Sequence, residues 1–175
     1  MESKHALFVG VGGQGIILTT KLLANGLIHA GYDVKMSEVH GMSQRGGSVS
    51  TQLHWGEKVF SPISGPGTAD LLVAFEKMEA VRYAHYLNPA GTAVINDYAI
   101  PSASTAAGLE AYPTGCIEAM KAHFHCVTLD AAQIAITLGN AKCMNLVLLG
   151  ALTRVLGLDG IDWAQIITET VPPAF

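Results

Sequence analysis

The sequence predicts an α/β fold: a three-layer sandwich around a mostly parallel sheet, with a Rossmann-like start and an antiparallel hairpin at one edge. Three observations predict it. Short, apolar, branched runs alternate with segments of helical period along most of the 175 residues, the pattern of a sheet wrapped by helices. Half of the residues are apolar, only 14% are charged, and the mean hydropathy is +0.35, as expected of strands buried on both faces. One segment, Ser48 to Trp55, instead alternates strictly between apolar and polar residues, the mark of a half-buried antiparallel strand. The length fits a single domain over residues 1–175.

The elements follow in order. Ala6 to Val11 is an apolar run ending in glycines, the first strand. Gly15 to Ala30 places Ile16, Leu22, Leu23 and Leu27 near helical period, with Gly31 as its stop. Asp33 to Val39 reads as a second strand and His40 to Gly47 as a polar, glycine-punctuated loop. After Trp55, Gly56-Glu57 reads as a turn, with Val59 to Ile63 returning as the hairpin partner. Ser64-Gly65-Pro66-Gly67 breaks the chain. Ala69 to Phe75 is a buried strand and Glu76 to Leu87 a helix; Asn88 to Gly91 is a turn and Thr92 to Asn96 a strand. Pro101 to Tyr112 is an unpatterned connection. Thr114 to Phe124, Ala131 to Leu138, Ala141 to Leu156 and Asp162 to Val171 read as helices, with His125 to Asp130 a strand between the first two. Asp162 with Gln165 three residues on forms a capping box.

Composition removes several function classes. Ten Lys and Arg against fourteen Asp and Glu give a net charge of −4, which does not suit a charge-driven nucleic-acid binder, and the apolar content excludes disorder. The most apolar stretch, Leu146 to Leu152, is bracketed by Lys142 and Arg154 and falls short of the ~20 residues a membrane span needs. Glu2, Lys4 and the glycines from Gly10 argue against a signal peptide. The cysteines, Cys116, Cys126 and Cys143, form no CxxC. A disulfide scaffold, a zinc site or an iron–sulfur cluster built by this chain alone is therefore not expected, and a reducing cytoplasm is. The shortage of charge leaves two readings: a sheet covered on both faces, or an apolar surface that meets another subunit.

Two loops carry the candidate chemistry. Gly10-Val11-Gly12-Gly13-Gln14-Gly15 matches G-x-G-x-x-G between a strand and a helix. Gly10 and Gly12 are expected to supply the positive-φ turn, leaving backbone N–H groups and a helix N-terminus open to an anion. A dinucleotide, another phosphate-bearing ligand, a partner segment, or tight strand–helix packing with no ligand all remain open. Glu38 is the acid best placed for a ribose, yet a loop and a hairpin follow it where a Rossmann fold continues into a helix. Gln14 is read either as a ligand contact or as a clasp on its own loop. The second loop, Val39-His40-Gly41-Met42-Ser43-Gln44-Arg45-Gly46-Gly47-Ser48, presents one guanidinium among glycines, which suits an anion or a neighbouring backbone. Arg45 ranks first, as a bidentate partner for phosphate or carboxylate. Ser43 and Gln44 are polar contacts for a partner backbone, and Glu38 and His40 flank the loop. His123 and His125 have no third ligand nearby, so no metal residue is named. Trp55 and Trp163 read as packing or interface anchors. No Walker loop and no G-x-S-x-G elbow is present, and no catalytic residue is named.

The glycine loop followed by Ser37-Glu38 and the Val39–Val49 stretch closely resembles the gamma-type domain of 2-oxoacid:ferredoxin oxidoreductases. The stretch is most similar to the beta subunit in the indolepyruvate branch. Gly56 to Pro62, Ala69 to Leu72 with Phe75-Glu76, and Asn145 to Leu152 extend the resemblance from about residue 5 to Pro173. It implies a subunit of an enzyme converting a 2-oxoacid, coenzyme A and oxidised ferredoxin into an acyl-CoA, carbon dioxide and reduced ferredoxin, with indolepyruvate or another aryl 2-oxoacid as substrate. Thiamine diphosphate with Mg²⁺ and 4Fe–4S clusters would sit in partner subunits, reaching ferredoxin through a hetero-oligomer, and this chain alone would be inactive. The resemblance implies that Gly10, Gly12, Gly13, Gln14, Gly15, Lys21, Ser43, Gln44, Arg45, Gly46 and Gly47 bound the approach of coenzyme A, with Lys21 facing it from the helix. Family members generally continue past the Val-Pro-Pro segment, so a shorter C-terminal region is expected here. The alternative is a stand-alone Rossmann-type nucleotide-binding protein or dehydrogenase.

Overall fold

The computed structural model describes residues 3–38 and 46–171. In chain order it contains β1 (Lys4–Val11), α1 (Ile16–His29), β2 (Asp33–Glu38), β3 (Ser48–Gly56), β4 (Ala69–Ala74), α2 (Lys77–Arg82), β5 (Leu87–Asn96), α3 (Ala103–Ala106), α4 (Cys116–Lys121), β6 (His125–Leu129), α5 (Ala131–Thr137), α6 (Met144–Val155) and α7 (Trp163–Thr170). The six strands form one sheet in the order β2-β3-β1-β4-β5-β6. β1, β4, β5 and β6 run parallel, while β3 runs antiparallel to both neighbours, β2 and β1. The expected mixed α/β sheet is therefore present.

Alternation along the strands sorts side chains onto two faces. One face carries Ala6 and Phe8, Leu53 and Trp55, Leu71 and Val73 against Leu22, Leu23 and Leu27 of α1 and Leu148 and Leu152 of α6. The other carries Leu7 and Val9, Leu72 and Ala74, Ala93 and Ile95 against Ala80 of α2 and Met120 of α4. β1, β4 and β5 are thus covered on both sides, which is why residues 6–9, 71–75 and 93–95 are continuously apolar. β3 keeps its alternation because Ser48, Ser50, Gln52 and His54 face away from the first core.

The expected return strand over Val59 to Ile63 does not form. Both hydrogen-bonding edges of β3 are already filled, by β1 and by β2. The segment instead crosses the polar face of the sheet. Asp33 accepts from the Val59 N–H at 2.9 Å, Gln52 accepts from the Ser64 N–H at 2.8 Å, and the His54 ring lies 2.9 Å from the Ser61 carbonyl. The antiparallel hairpin at the edge is β2 with β3. The Glu76–Leu87 helix is also shorter than expected, because β5 begins at Leu87 and pairs with Ala69 before its register shifts. Asn88 to Gly91, read as a turn, is the irregular start of that strand; a side chain on Gly91 would stand 2.6 Å from Leu87 Cδ1.

α7 is pinned against α1 by Trp163. Its indole donates to the Leu158 carbonyl at 3.0 Å, and its ring fills the space that a Cβ on Gly26 would need, 2.4 Å away. Asp162 caps α7 through the Gln165 N–H at 3.0 Å. We expect Gly26→Ala to lower stability by about 1–3 kcal/mol through overpacking. The same change at Gly150 of α6, where a Cβ meets open space, should raise it by about 0.5–1 kcal/mol. Thermal unfolding of the two variants tests the opposite signs.

His5 is buried at 2% exposure, and neither ring nitrogen finds a hydrogen-bond partner among the described residues. Burial, with the nearby His54, lowers its pKa from 6.5 to about 4. The folded pKa lies below the unfolded one, so protonation favours the unfolded chain. Its contribution is intact above pH 6.5 and erodes towards pH 4, by up to about 1.4 kcal/mol per pH unit. Between pH 7.5 and pH 5, His5→Leu should lose less stability in urea unfolding than the wild type does.

Candidate functional site

The carboxyl ends of β1, β4, β5 and β6 all open on one side of the sheet. From β1 the chain leaves first towards β2 on one flank and later resumes at β4 on the other. The carboxyl end of β1 is therefore a topological switch point, where α/β folds leave a crevice for ligands. The glycine loop occupies that point.

Its glycines do different work from that expected. The positive φ angles fall at Gly13 and Gly15, and Gly10 and Gly12 have none. Gly10 is a strand residue paired with Val49. A Cβ there would lie 2.7 Å from Gln14 Oε1 and 2.8 Å from Phe75 Cβ, so Gly10 is needed for close approach. Gly15 sits at φ 81°, and its Cα faces the Asn145 side chain, 2.9 Å from where a Cβ would stand. It lets the first turn of α1 lie against the start of α6.

Gln14 resolves the choice left open by the sequence in favour of the clasp. Its Oε1 accepts from the Val11 N–H at 2.7 Å and its Nε2 donates to the Phe75 carbonyl at 2.9 Å. The side chain thus ties the loop of β1 to the end of β4. Among the described residues no side chain caps α1, and its first turn carries no acid, so its N-terminal N–H groups and dipole favour an anion there.

The two sequence signatures meet. The Gly12 N–H donates to the Gly47 carbonyl at 2.9 Å, which seats the end of the second loop beside the first, with Gly46 preceding it. Ser43, Gln44 and Arg45, with His40, lie outside the described residues. Lys21 stands on α1, its side chain 51% exposed, 3.4 Å from Glu38 at the end of β2. It does not line either cleft beside the loop.

Those clefts flank the loop on either side. The larger, about 410 Å³, lies between Gly12, Gly13 and Gln14 on one wall and Tyr98, Ile100, Ile136 and Met144 on the other. The smaller, about 230 Å³, lies between the loop, Ile16, Ile17 and Val49. The larger falls within the range of small-molecule sites, which combine apolar walls with a few aimed polar groups.

Sequence reasoning missed the polar residues beneath this surface. Glu76 is fully buried; one oxygen caps α2 through the N–H groups of Met78 and Glu79, and the other accepts from the Ile100 N–H and from the Tyr112 hydroxyl. Burial and that carboxylate hold the Tyr112 hydroxyl well above the usual phenol range. Asn96, at 0% exposure, bridges β5 to Phe75 and Ala131. The signal was a single polar residue closing or following an otherwise apolar strand. Among the described residues no group of three or more His, Cys, Asp or Glu is placed to hold a metal ion, and no helix is long and apolar enough to cross a membrane.

Residues 5–175 match the pyruvate ferredoxin/flavodoxin oxidoreductase family. The chain belongs to it. It is 37% identical to the indolepyruvate oxidoreductase subunit IorB of Thermococcus kodakarensis, over 99% of this chain and 89% of that protein. In fold it is similar to the gamma subunit of the keto/oxoacid ferredoxin oxidoreductase of Geobacter sulfurreducens, with a TM-score of 0.72 at 20% identity over 100% of this chain and 89% of that one. It is also similar to the 2-oxoglutarate:ferredoxin oxidoreductase of Magnetococcus marinus, with a TM-score of 0.70 at 18% identity over 97% of this chain and 27% of that one; that structure holds 2-oxoglutarate, coenzyme A and succinyl-CoA. The resemblance read from the two loops is thus a family relationship, and the glycine loop that a Rossmann reading assigns to nucleotides is here a feature of an oxidoreductase family domain.

The clasp makes a direct demand on stability. Gln14→Met removes both bonds and leaves the buried Val11 N–H without its partner, a loss of about 1–3 kcal/mol. Amide exchange should quicken at residues 12–15, with β6 unchanged.

Proposed function

We propose that this chain is the gamma-type, thiamine-free subunit of a cytoplasmic 2-oxoacid:ferredoxin oxidoreductase acting on indolepyruvate or another aryl 2-oxoacid, and that its glycine-loop end helps to receive coenzyme A. The enzyme would convert 2-oxoacid, coenzyme A and oxidised ferredoxin into acyl-CoA, carbon dioxide and reduced ferredoxin. The observation that carries the reading is the junction of the two signature loops, Gly12 to Gly47, at a helix N-terminus that no side chain caps among the described residues, on the switch point of the sheet. The similarity to indolepyruvate oxidoreductase subunits supports the substrate class, and the bound coenzyme A of a neighbour in fold supports the ligand.

In this reading thiamine diphosphate and 4Fe–4S clusters in partner subunits supply carbanion stabilisation and electron transfer. This chain binds and orients. The N–H groups at Gly13, Gly15 and the first turn of α1 face the phosphates of coenzyme A. Arg45 adds a bidentate guanidinium, and Ser43, Gln44 and Gly46 meet a partner's backbone. Gln14 shapes the loop from beneath. Lys21, exposed on α1 outside both clefts, offers a charge to a ligand or partner that extends beyond them. The apolar wall of Ile100, Ile136 and Met144 packs against the ligand or the partner subunit.

The test is the complex reconstituted with its thiamine- and cluster-bearing partner. Arg45→Ala should raise the KM for coenzyme A about tenfold, the value of one charge-assisted hydrogen bond, with Arg45→Lys recovering only part. The isolated chain should show no 2-oxoacid decarboxylation and no iron–sulfur absorbance. Turnover by the chain alone would refute the subunit reading. Tight NAD(H) binding without a response to coenzyme A in calorimetry would favour a stand-alone nucleotide-binding protein.

A further inference from the structure

We propose that Asn96 is a positioning residue for the ligand site: a buried amide that holds the two walls of the larger cleft at a set separation while touching no ligand. The inference rests on the reading of that cleft as part of the coenzyme A site.

Asn96 ends β5, directly beneath the cleft, and has no exposed surface. Its Nδ2 donates to the Phe75 carbonyl at 3.0 Å and lies 3.3 Å from Met144 Sδ; its Oδ1 accepts from the Ala131 N–H at 2.9 Å. The Phe75 carbonyl is the same acceptor that takes the Gln14 amide. Gln14 belongs to the loop wall of the cleft. Met144 opens α6 and Ala131 opens α5, and α5 carries Ala132 and Ile136 of the opposite wall. One side chain therefore reaches the loop wall through a shared carbonyl and the helical wall through a backbone N–H and a thioether.

The chemistry is specific to the amide. Asparagine offers donors on one side and an acceptor on the other, which is what Phe75 O and Ala131 N require. Aspartate keeps the bond to Ala131 of α5 but turns an oxygen on the Phe75 carbonyl and the Met144 sulfur, so it breaks the tie to the loop wall and weakens the contact with α6. Groups that act through one shared atom should show non-additive effects, whereas independent packing contributions should add.

The experiment uses the reconstituted complex, with coenzyme A varied at saturating 2-oxoacid and the 2-oxoacid varied at saturating coenzyme A. Asn96→Asp should raise the KM for coenzyme A at least fivefold and leave kcat within twofold. Gln14→Met should do the same, and the double variant should be little worse than the stronger single one. Should Asn96→Asp fail to assemble by size exclusion, Asn96→Ser, whose shorter side chain gives up both bonds without burying a charge, is measured in its place with the same expected rise in KM. A fall in kcat with no change in KM, an equal rise in KM for the 2-oxoacid, or strictly additive singles would overturn the proposal. Arg45→Ala in the same assay separates the two readings. If the KM for coenzyme A responds to Arg45→Ala and not to the Asn96 variants, only the positioning role falls. If it responds to none of them, the coenzyme A site falls, and the positioning role with it.

Discussion

The carbonyl of Phe75 accepts two side-chain amides, one from Gln14 in the glycine loop and one from Asn96 at the end of β5. All three residues are buried, where a polar group without a partner is costly, so these bonds set the relative position of β1, β4 and β5 at their carboxyl ends. The turn of the glycine loop, the seat of Gly47 against Gly12 and the placement of α5 all follow from that junction. The next residue, Glu76, continues the pattern with a buried carboxylate that gathers α2, Ile100 and Tyr112. Two consecutive residues at the end of one strand thus organise the floor of the candidate site.

Much of this molecule was readable from the order of its residues. The apolar runs of β1, β4 and β5 announced strands covered on both faces, and the alternation from Ser48 to Trp55 announced one that is not. What alternation could not reveal was which neighbours β3 would have. A period of two reports the faces of a strand and is silent about its edges, so the chain that follows was assigned to an edge that β1 and β2 already occupy. α2 is shorter than its sequence predicts because Leu87 continues a helical period while its backbone has already turned into β5.

The glycine loop was legible as a motif but not as a mechanism. Spacing placed the turn, whereas the division of labour among its glycines depends on residues far away in sequence: Phe75 beside Gly10, Asn145 against Gly15. Gln14 could face a ligand or its own loop until the position of the Phe75 carbonyl was known. The roles of Asn96 and Glu76 are hidden in the sequence because a single polar residue at a strand end has no pattern of its own. Their importance comes from convergence, which only the folded chain creates.

The sheet is lopsided. From β1 to β5 it is sandwiched between helices, while the polar face of β3 is crossed by a strap held through side chains of Asp33, Gln52 and His54. Cooperative protection follows buried apolar contact, so the β2–β3 ribbon forms the thin flank of an otherwise thick slab. The Gly12–Gly47 bond spans the seam between the two. A molecule lodged at that seam would have one side against rigid masonry and the other against a leaf able to yield.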